Sequence, residues 1–132
     1  PFMTAMRKMA LYSTNGVATM VQWAAVEALR LNPEFHQKRL AEYRERRDVL
    51  VKGLNEMGFD CELPAGAFYA FPSVRRLDTD SRRAAALLLE KAHVATVPGV
   101  VFGSQGEGHV RFSYSTSITA IQHGLEALRR LM

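Results

Sequence analysis

The stretch from Pro33 to about Met57 constrains this chain more than any other, because it reads as one long helix with both ends marked. Asn32, Pro33 and Glu34 supply a cap, a first-turn proline and an acid at the positive end of the helix dipole. Gly58 supplies a residue free to take the left-handed conformation that ends a helix. The apolar seam runs Leu40, Tyr43, Leu50, Leu54 and Met57, in alternating steps of three and four, with Arg47 where another apolar residue is due. Glu34 with Lys38 and Glu42 with Arg46 would each add about 0.2 to 0.5 kcal/mol. A helix this long with so narrow a seam suits a strut lying along a body larger than itself.

Shorter elements follow from local pattern. Ser13 to Gly16 read as a turn, and the next segment as a helix whose wide apolar face (Val17, Met20, Val21, Ala24, Ala25, Ala28, Leu29) predicts that it is mostly buried. "FDCEL" and "AFYAF" read as short strands separated by Pro64-Ala65-Gly66. "TDSRRAAALLLEKAH" reads as an amphipathic helix capped by Thr79 or Asp80, and "VATV" as a brief strand ended by Pro98-Gly99. In "HVRFSYS" the residues alternate, placing Val110, Phe112 and Tyr114 on one face and His109, Arg111, Ser113 and Ser115 on the other. A final helix carries Ile118, Ile121, Leu125 and Leu128 behind Ser117 as cap. The order is helix, helix, strand, strand, helix, strand, strand, helix. It predicts an α+β fold, a small antiparallel or mixed sheet covered by helices.

At 132 residues the chain is long enough to bury a real core as one domain. Its net charge of +4 is mild, and the arginines come in scattered pairs beside acids, not on one aromatic-rich face, which argues against nucleic-acid binding. Cys61 is the only cysteine, so no internal disulfide framework exists and a reducing compartment fits. His36, His93, His109 and His123 lie far apart without ligand spacing, so no metal site is expected. No run of eighteen apolar residues or signal-peptide pattern occurs, and a cytoplasmic, membrane-free location is the expectation. The chain starts at Pro1, so either a segment has been removed or this is a piece of a longer protein.

Few residues carry chemistry. Glycines at 99, 103, 106 and 108 match neither a dinucleotide fingerprint nor a phosphate loop, and they read as bends beside an opening. Glu107 among them reads as a surface acid. No Ser-His-Asp set or nucleophile elbow is present. Tyr69 and Tyr114 fit core residues with wet hydroxyls, and Ser113 and Ser115 fit strand-face hydroxyls or weak anion contacts. Arg111 is the exception. On the solvent face of a strand a lone arginine is ordinarily just solvated, yet its planar, permanently charged guanidinium can also grip a carboxylate through two parallel hydrogen bonds. The residue alone leaves both readings open.

Five words decide between them: "YSTNGVATMVQWAAVEAL", "YRERRDVLVKGLNEMGF", "PAGAFYAFP", "VATVPGVVFG" and "GEGHVRFSYSTS". In that order and spacing they resemble the C-terminal portion of class I/II aminotransferases, pyridoxal-phosphate enzymes of the aspartate aminotransferase fold. The resemblance spans nearly the whole chain. It implies the small domain of the fold type I transferase fold at residues 32–132, with its long helix at about 33–57, behind a helical segment at residues 1–31 that normally packs on a large domain.

The resemblance further implies that Arg111 binds the substrate α-carboxylate, and that Gly66, Phe68, Tyr69, Phe102 and Gly103 would line the active-site wall. Tyr12 and Asn15 would approach the cofactor of a neighbouring subunit in a homodimer. The family's Schiff-base lysine lies in an upstream Ser-x-x-Lys word that does not occur here, and Lys8, Lys38, Lys52 and Lys91 sit among helical charges. The expectation is therefore a chain with no catalytic residue of its own. It would complete an enzyme moving an amino group between an amino acid and a 2-oxo acid on pyridoxal 5'-phosphate held by a missing large domain. Arg111 would stand at the mouth of a cleft whose other half is elsewhere. A stand-alone protein-interaction domain, or the small domain of a related lyase or synthase, are the alternatives.

Overall fold

The computed structural model describes residues 2–132; Pro1, the first residue of the expected leading segment, lies outside the described residues. Five helices and three short strands follow one another as α1 (Phe2–Thr14), α2 (Thr19–Leu29), α3 (Pro33–Glu56), β1 (Tyr69–Ala70), α4 (Ser81–Ala92), β2 (Val97–Pro98), β3 (Val110–Ser113) and α5 (Ile118–Leu131). Two 3-10 turns, Gly99–Phe102 and Ser104–Gly106, join β2 to β3. Among the described residues no helix is long and apolar enough to cross a membrane. Two compact units divide the chain, one ending at Gln37 and the other Lys38–Met132, so the boundary falls inside α3.

In the first unit the predicted turn begins two residues late. Ser13 and Thr14 close α1, their hydroxyls donating to the carbonyls of Met9 (2.8 Å) and Ala10 (2.9 Å). The chain then reverses at Asn15 and Gly16, both at positive φ (49° and 82°). Local pattern did not mark α1 as a helix of its own within the helical segment expected at residues 1–31. α2 forms where expected, but its expected burial does not: Met20, Trp23 and Leu29 are 78%, 67% and 88% exposed. Its apolar face finds no partner among the described residues, and amphipathic spacing states only which face wants one.

The long helix is as the sequence dictates. Asn32 Oδ1 accepts the Glu34 amide at 3.1 Å. At the other end Gly58 takes φ 79°, the Phe59 amide reaches Leu54 O at 3.1 Å and the Gly58 amide reaches Asn55 O at 2.9 Å. These two bonds satisfy carbonyls that would otherwise be orphaned. The seam is buried only toward its C-terminal half, at Leu50, Leu54 and Met57, while Leu40 stays half exposed.

Residues 59–63, expected as a strand, are not one. Asn55 clamps them to the end of α3: its Nδ2 donates to Cys61 O and its Oδ1 accepts Cys61 N–H, both at 2.9 Å. The Cys61 amide, bonded to a side chain, cannot also donate to a strand ladder. Burial of this segment pushes the Cys61 thiol up to about 11.

The sheet is antiparallel throughout, in the order β1-β3-β2. Tyr69 pairs with Ser113 and Ala70 with Phe112 on one side, Val97 with Arg111 and Pro98 with Val110 on the other. Val110, Phe112 and Tyr114 are buried at 0 to 5% exposure, as the alternation predicts. Leu50, Leu54, Leu88, Leu125 and Leu128 fill the core between helices and sheet, each contributing about 1.5 to 3 kcal/mol. Asp80 caps α4 by accepting the amides of Arg82 (2.9 Å) and Arg83 (3.1 Å), and Ser117 caps α5 through the Ala120 amide.

Candidate functional site

Register alone puts Arg111, Ser113, Tyr69 and Val97 on the sheet face away from the helices. Arg111 is half-buried there at the centre of the middle strand. Its guanidinium carbon lies 4.1 Å from the centre of the Tyr69 ring and 4.9 Å from that of Phe102. Tyr69 comes from β1, and Phe102 from the 3-10 turn that follows β2. No acid of the described residues pairs with Arg111, although Arg30, Arg39, Arg46, Arg47, Arg83 and Arg129 each hold a carboxylate partner.

The rings are themselves braced. Phe71 meets Phe102 edge-on at 5.9 Å and stacks on His109 at 5.5 Å with only 5° between planes. Phe68 lies 4.4 Å from Tyr69 on the other flank. The turn carrying Phe102 is fixed by the packing of Gly99 on Gly106, where a Cβ on either glycine would collide with backbone of the other.

The remaining wall residues divide. Gly103 follows Phe102 directly and takes φ 120°, a conformation few other residues adopt. Gly66 instead belongs to a separate hollow of about 220 Å³ lined by Tyr43, Arg47 and Tyr114 among others. Tyr12 and Asn15 lie in the first unit, Tyr12 on α1 and Asn15 in the turn after it, and are exposed. Three hollows of this chain are lined by residues other than Arg111, which lies half-buried on the sheet face away from the helices.

Two charged residues do work that pattern did not reveal. Arg47, out of place in the apolar seam, donates from Nη1 to Pro64 O at 3.1 Å and so anchors the turn before β1. Glu107, expected as a surface acid, accepts the Ser81 amide at 2.6 Å and the Gly108 amide at 3.2 Å. These bonds, the Ser81 one first, hold its carboxyl below the usual carboxylate range. Neither contact leaves a spacing signal, since partners 17 and 26 residues away are invisible to local pattern. Tyr114 is buried, its hydroxyl donating to Ala67 O at 3.0 Å, and burial raises its pKa.

Comparison with known proteins bears on the whole arrangement. The aspartate aminotransferase of Pyrococcus horikoshii is 40% identical over 129 residues, 96% of this chain and 32% of that protein. Among solved structures, an aromatic aminotransferase from Pyrococcus horikoshii superposes with a TM-score of 0.85 at 37% identity, over 94% of this chain and 34% of that one. Aspartate aminotransferase from Thermus thermophilus, solved with maleate, gives 0.84 at 40% identity, over 98% and 34%. The chain thus spans about a third of the length of the curated relatives it matches. These neighbours have the fold type I architecture expected from the sequence. The family model of the class I and II aminotransferases matches residues 2–128, and the chain belongs to that family.

Proposed function

We propose that this chain is the small domain, with a leading helical segment, of a pyridoxal-phosphate-dependent aminotransferase, and that Arg111 holds the α-carboxylate of the amino acid and of the 2-oxo acid alike. The observation that carries the reading is an arginine on the middle strand of the sheet with no acid partner among the described residues. An unpaired guanidinium offers coplanar donors that match a carboxylate in two parallel hydrogen bonds. The Thermus thermophilus relative solved with maleate, a dicarboxylate, supports a ligand of that chemistry. Names of aminotransferases among the relatives favour amino-group transfer over lyase or synthase chemistry.

Residues of this chain do not fit attachment of the cofactor. Lys8, Lys38, Lys52 and Lys91 are all exposed, whereas a cofactor-bearing lysine needs a desolvated pocket. Pyridoxal phosphate, when bound, supplies the electron sink for the reaction. What this chain supplies is orientation: both substrates share the carboxylate, so one fixed guanidinium can present either to the same centre. The homodimer and the cytoplasmic location belong to the same proposal, with the large domain and the partner subunit bringing the rest of the site.

The test is Arg111→Lys in the complete parent enzyme. Losing one partner of a hydrogen-bonded charge pair costs about 2 kcal/mol or more, so kcat/KM for α-amino acids should fall about thirtyfold or more, while amines lacking a carboxylate should be nearly unaffected. Residues 1–132 alone should give no turnover in the same assay. Equal losses for both substrate types, or turnover by the isolated chain, would refute the reading.

A further inference from the structure

Arg111 raises a physical problem that its charge alone does not solve. A long side chain on an open sheet face has many rotamers, and fixing it usually falls to a carboxylate. A carboxylate would neutralise the guanidinium and occupy the donors a ligand needs. Here two aromatic faces take that place, Tyr69 at 4.1 Å and Phe102 at 4.9 Å from the guanidinium carbon. A ring attracts the ion through its π-face and accepts none of the guanidinium's N–H groups as a carboxylate would, so those donors stay available to a ligand.

Each ring is held in turn. Phe102 is 52% exposed and would be free to swing, yet it rides on a turn fixed by the Gly99–Gly106 contact and is braced by Phe71. Phe71 stacks on His109, whose Nδ1 lies 3.1 Å from Glu107 O. Tyr69 is fixed by the β1–β3 register. The two rings reach Arg111 from different elements, 33 residues apart in sequence, so no local propensity brings them together.

We infer that Tyr69 and Phe102 are positioning residues that clamp the Arg111 guanidinium between aromatic faces, keeping its donors free and aimed for a carboxylate. The inference rests on the carboxylate role proposed for Arg111. It assigns the rings no contact with substrate of their own. The hydroxyl of Tyr69 plays no part, so Tyr69→Phe keeps the clamp and Tyr69→Leu breaks it.

The experiment measures maleate binding calorimetrically, and kcat and KM for an α-amino acid, in the complete cofactor-loaded parent. Tyr69→Leu and Phe102→Leu should each weaken maleate about three- to tenfold, a cation–π contribution partly shielded from solvent, with the kinetic loss falling mainly on KM. Tyr69→Phe and Phe102→Tyr should stay within about twofold of the parent. In an Arg111→Gln background the leucine substitutions should have no further effect, which a merely structural role could not produce.

Weakening of equal size with and without Arg111, or no weakening at all, would overturn the clamp while leaving the carboxylate role standing. If Arg111→Gln alone leaves maleate affinity unchanged, the carboxylate role itself falls, and the clamp with it. Phe102 lies at the surface, so its leucine variant should fold. A lowered thermal midpoint in that variant without loss of maleate affinity also counts against the clamp.

Discussion

The two units of this molecule are similarly apolar in sequence and differ in what they do with it. In the first unit Met3, Met9, Met20, Trp23 and Leu29 are exposed, and no residue of α1 or α2 is buried. In Lys38–Met132 the corresponding residue types close a continuous core. Polar contacts follow the same division. Side-chain hydrogen bonds of the first unit join residues five apart or fewer, as in Ser13 to Met9 and Gln22 to Val17. Those of the second reach 47 residues from Tyr114 to Ala67 and 73 from Arg129 to Glu56. Helices can form on local bonds alone, but a fold needs contacts between segments distant in sequence.

The contrast predicts unequal consequences for similar truncations. Leu54→Ala should cost about 2 to 5 kcal/mol by chemical denaturation, because a fully buried leucine leaves a cavity. Trp23→Ala removes a larger side chain from an exposed face and should change stability of the same chain by no more than about 0.5 kcal/mol. A large cost at Trp23 would erase the distinction between the two units.

A smaller effect tests the helix ends. Asp80 caps α4 with two amide bonds, whereas Ala18 at the start of α2 makes no side-chain cap. Asp80→Ala should lose about 1 kcal/mol, and Ala18→Asp should raise helicity without raising the cooperative unfolding midpoint, because α2 carries no core residue.

The smallest effect concerns pH. Glu107 has a lowered carboxyl pKa in the fold, from the Ser81 amide first, so the unfolded chain takes up a proton at a pH where the folded one does not. Its stabilisation is present above the ordinary carboxylate range and is lost as pH falls through and below it. The urea midpoint of the wild-type chain should therefore decline through that acid range. Glu107→Gln, with no proton to gain, should show a flatter decline there and no change in slope near neutral pH.

Helix ends were legible because they are written in adjacent residues: Asn32 and Gly58 bound α3, Asp80 and Ser117 cap α4 and α5, and each acts on backbone within a few positions. The alternation of 109–115 was legible for the same reason and correctly assigned the buried face of β3. The strand expected at 59–63 failed because Asn55, on the preceding helix, offers its backbone a better partner than a neighbouring strand does. The expected burial of α2 failed because periodicity describes a face and not what covers it.

What the sequence determined alone is therefore the span of the long helix α3, the caps of α4 and α5 and the alternating sense of β3, including the outward sense of Arg111. Tertiary structure decided the rest. It brought Tyr69 and Phe102 from separate elements onto one guanidinium, turned Arg47 from a flaw in an apolar seam into an anchor for Pro64, and bound Glu107 to the start of α4. The reason is physical: caps and alternation act through neighbouring peptide groups, whereas these contacts depend on segments meeting in space, which only the packed core enforces.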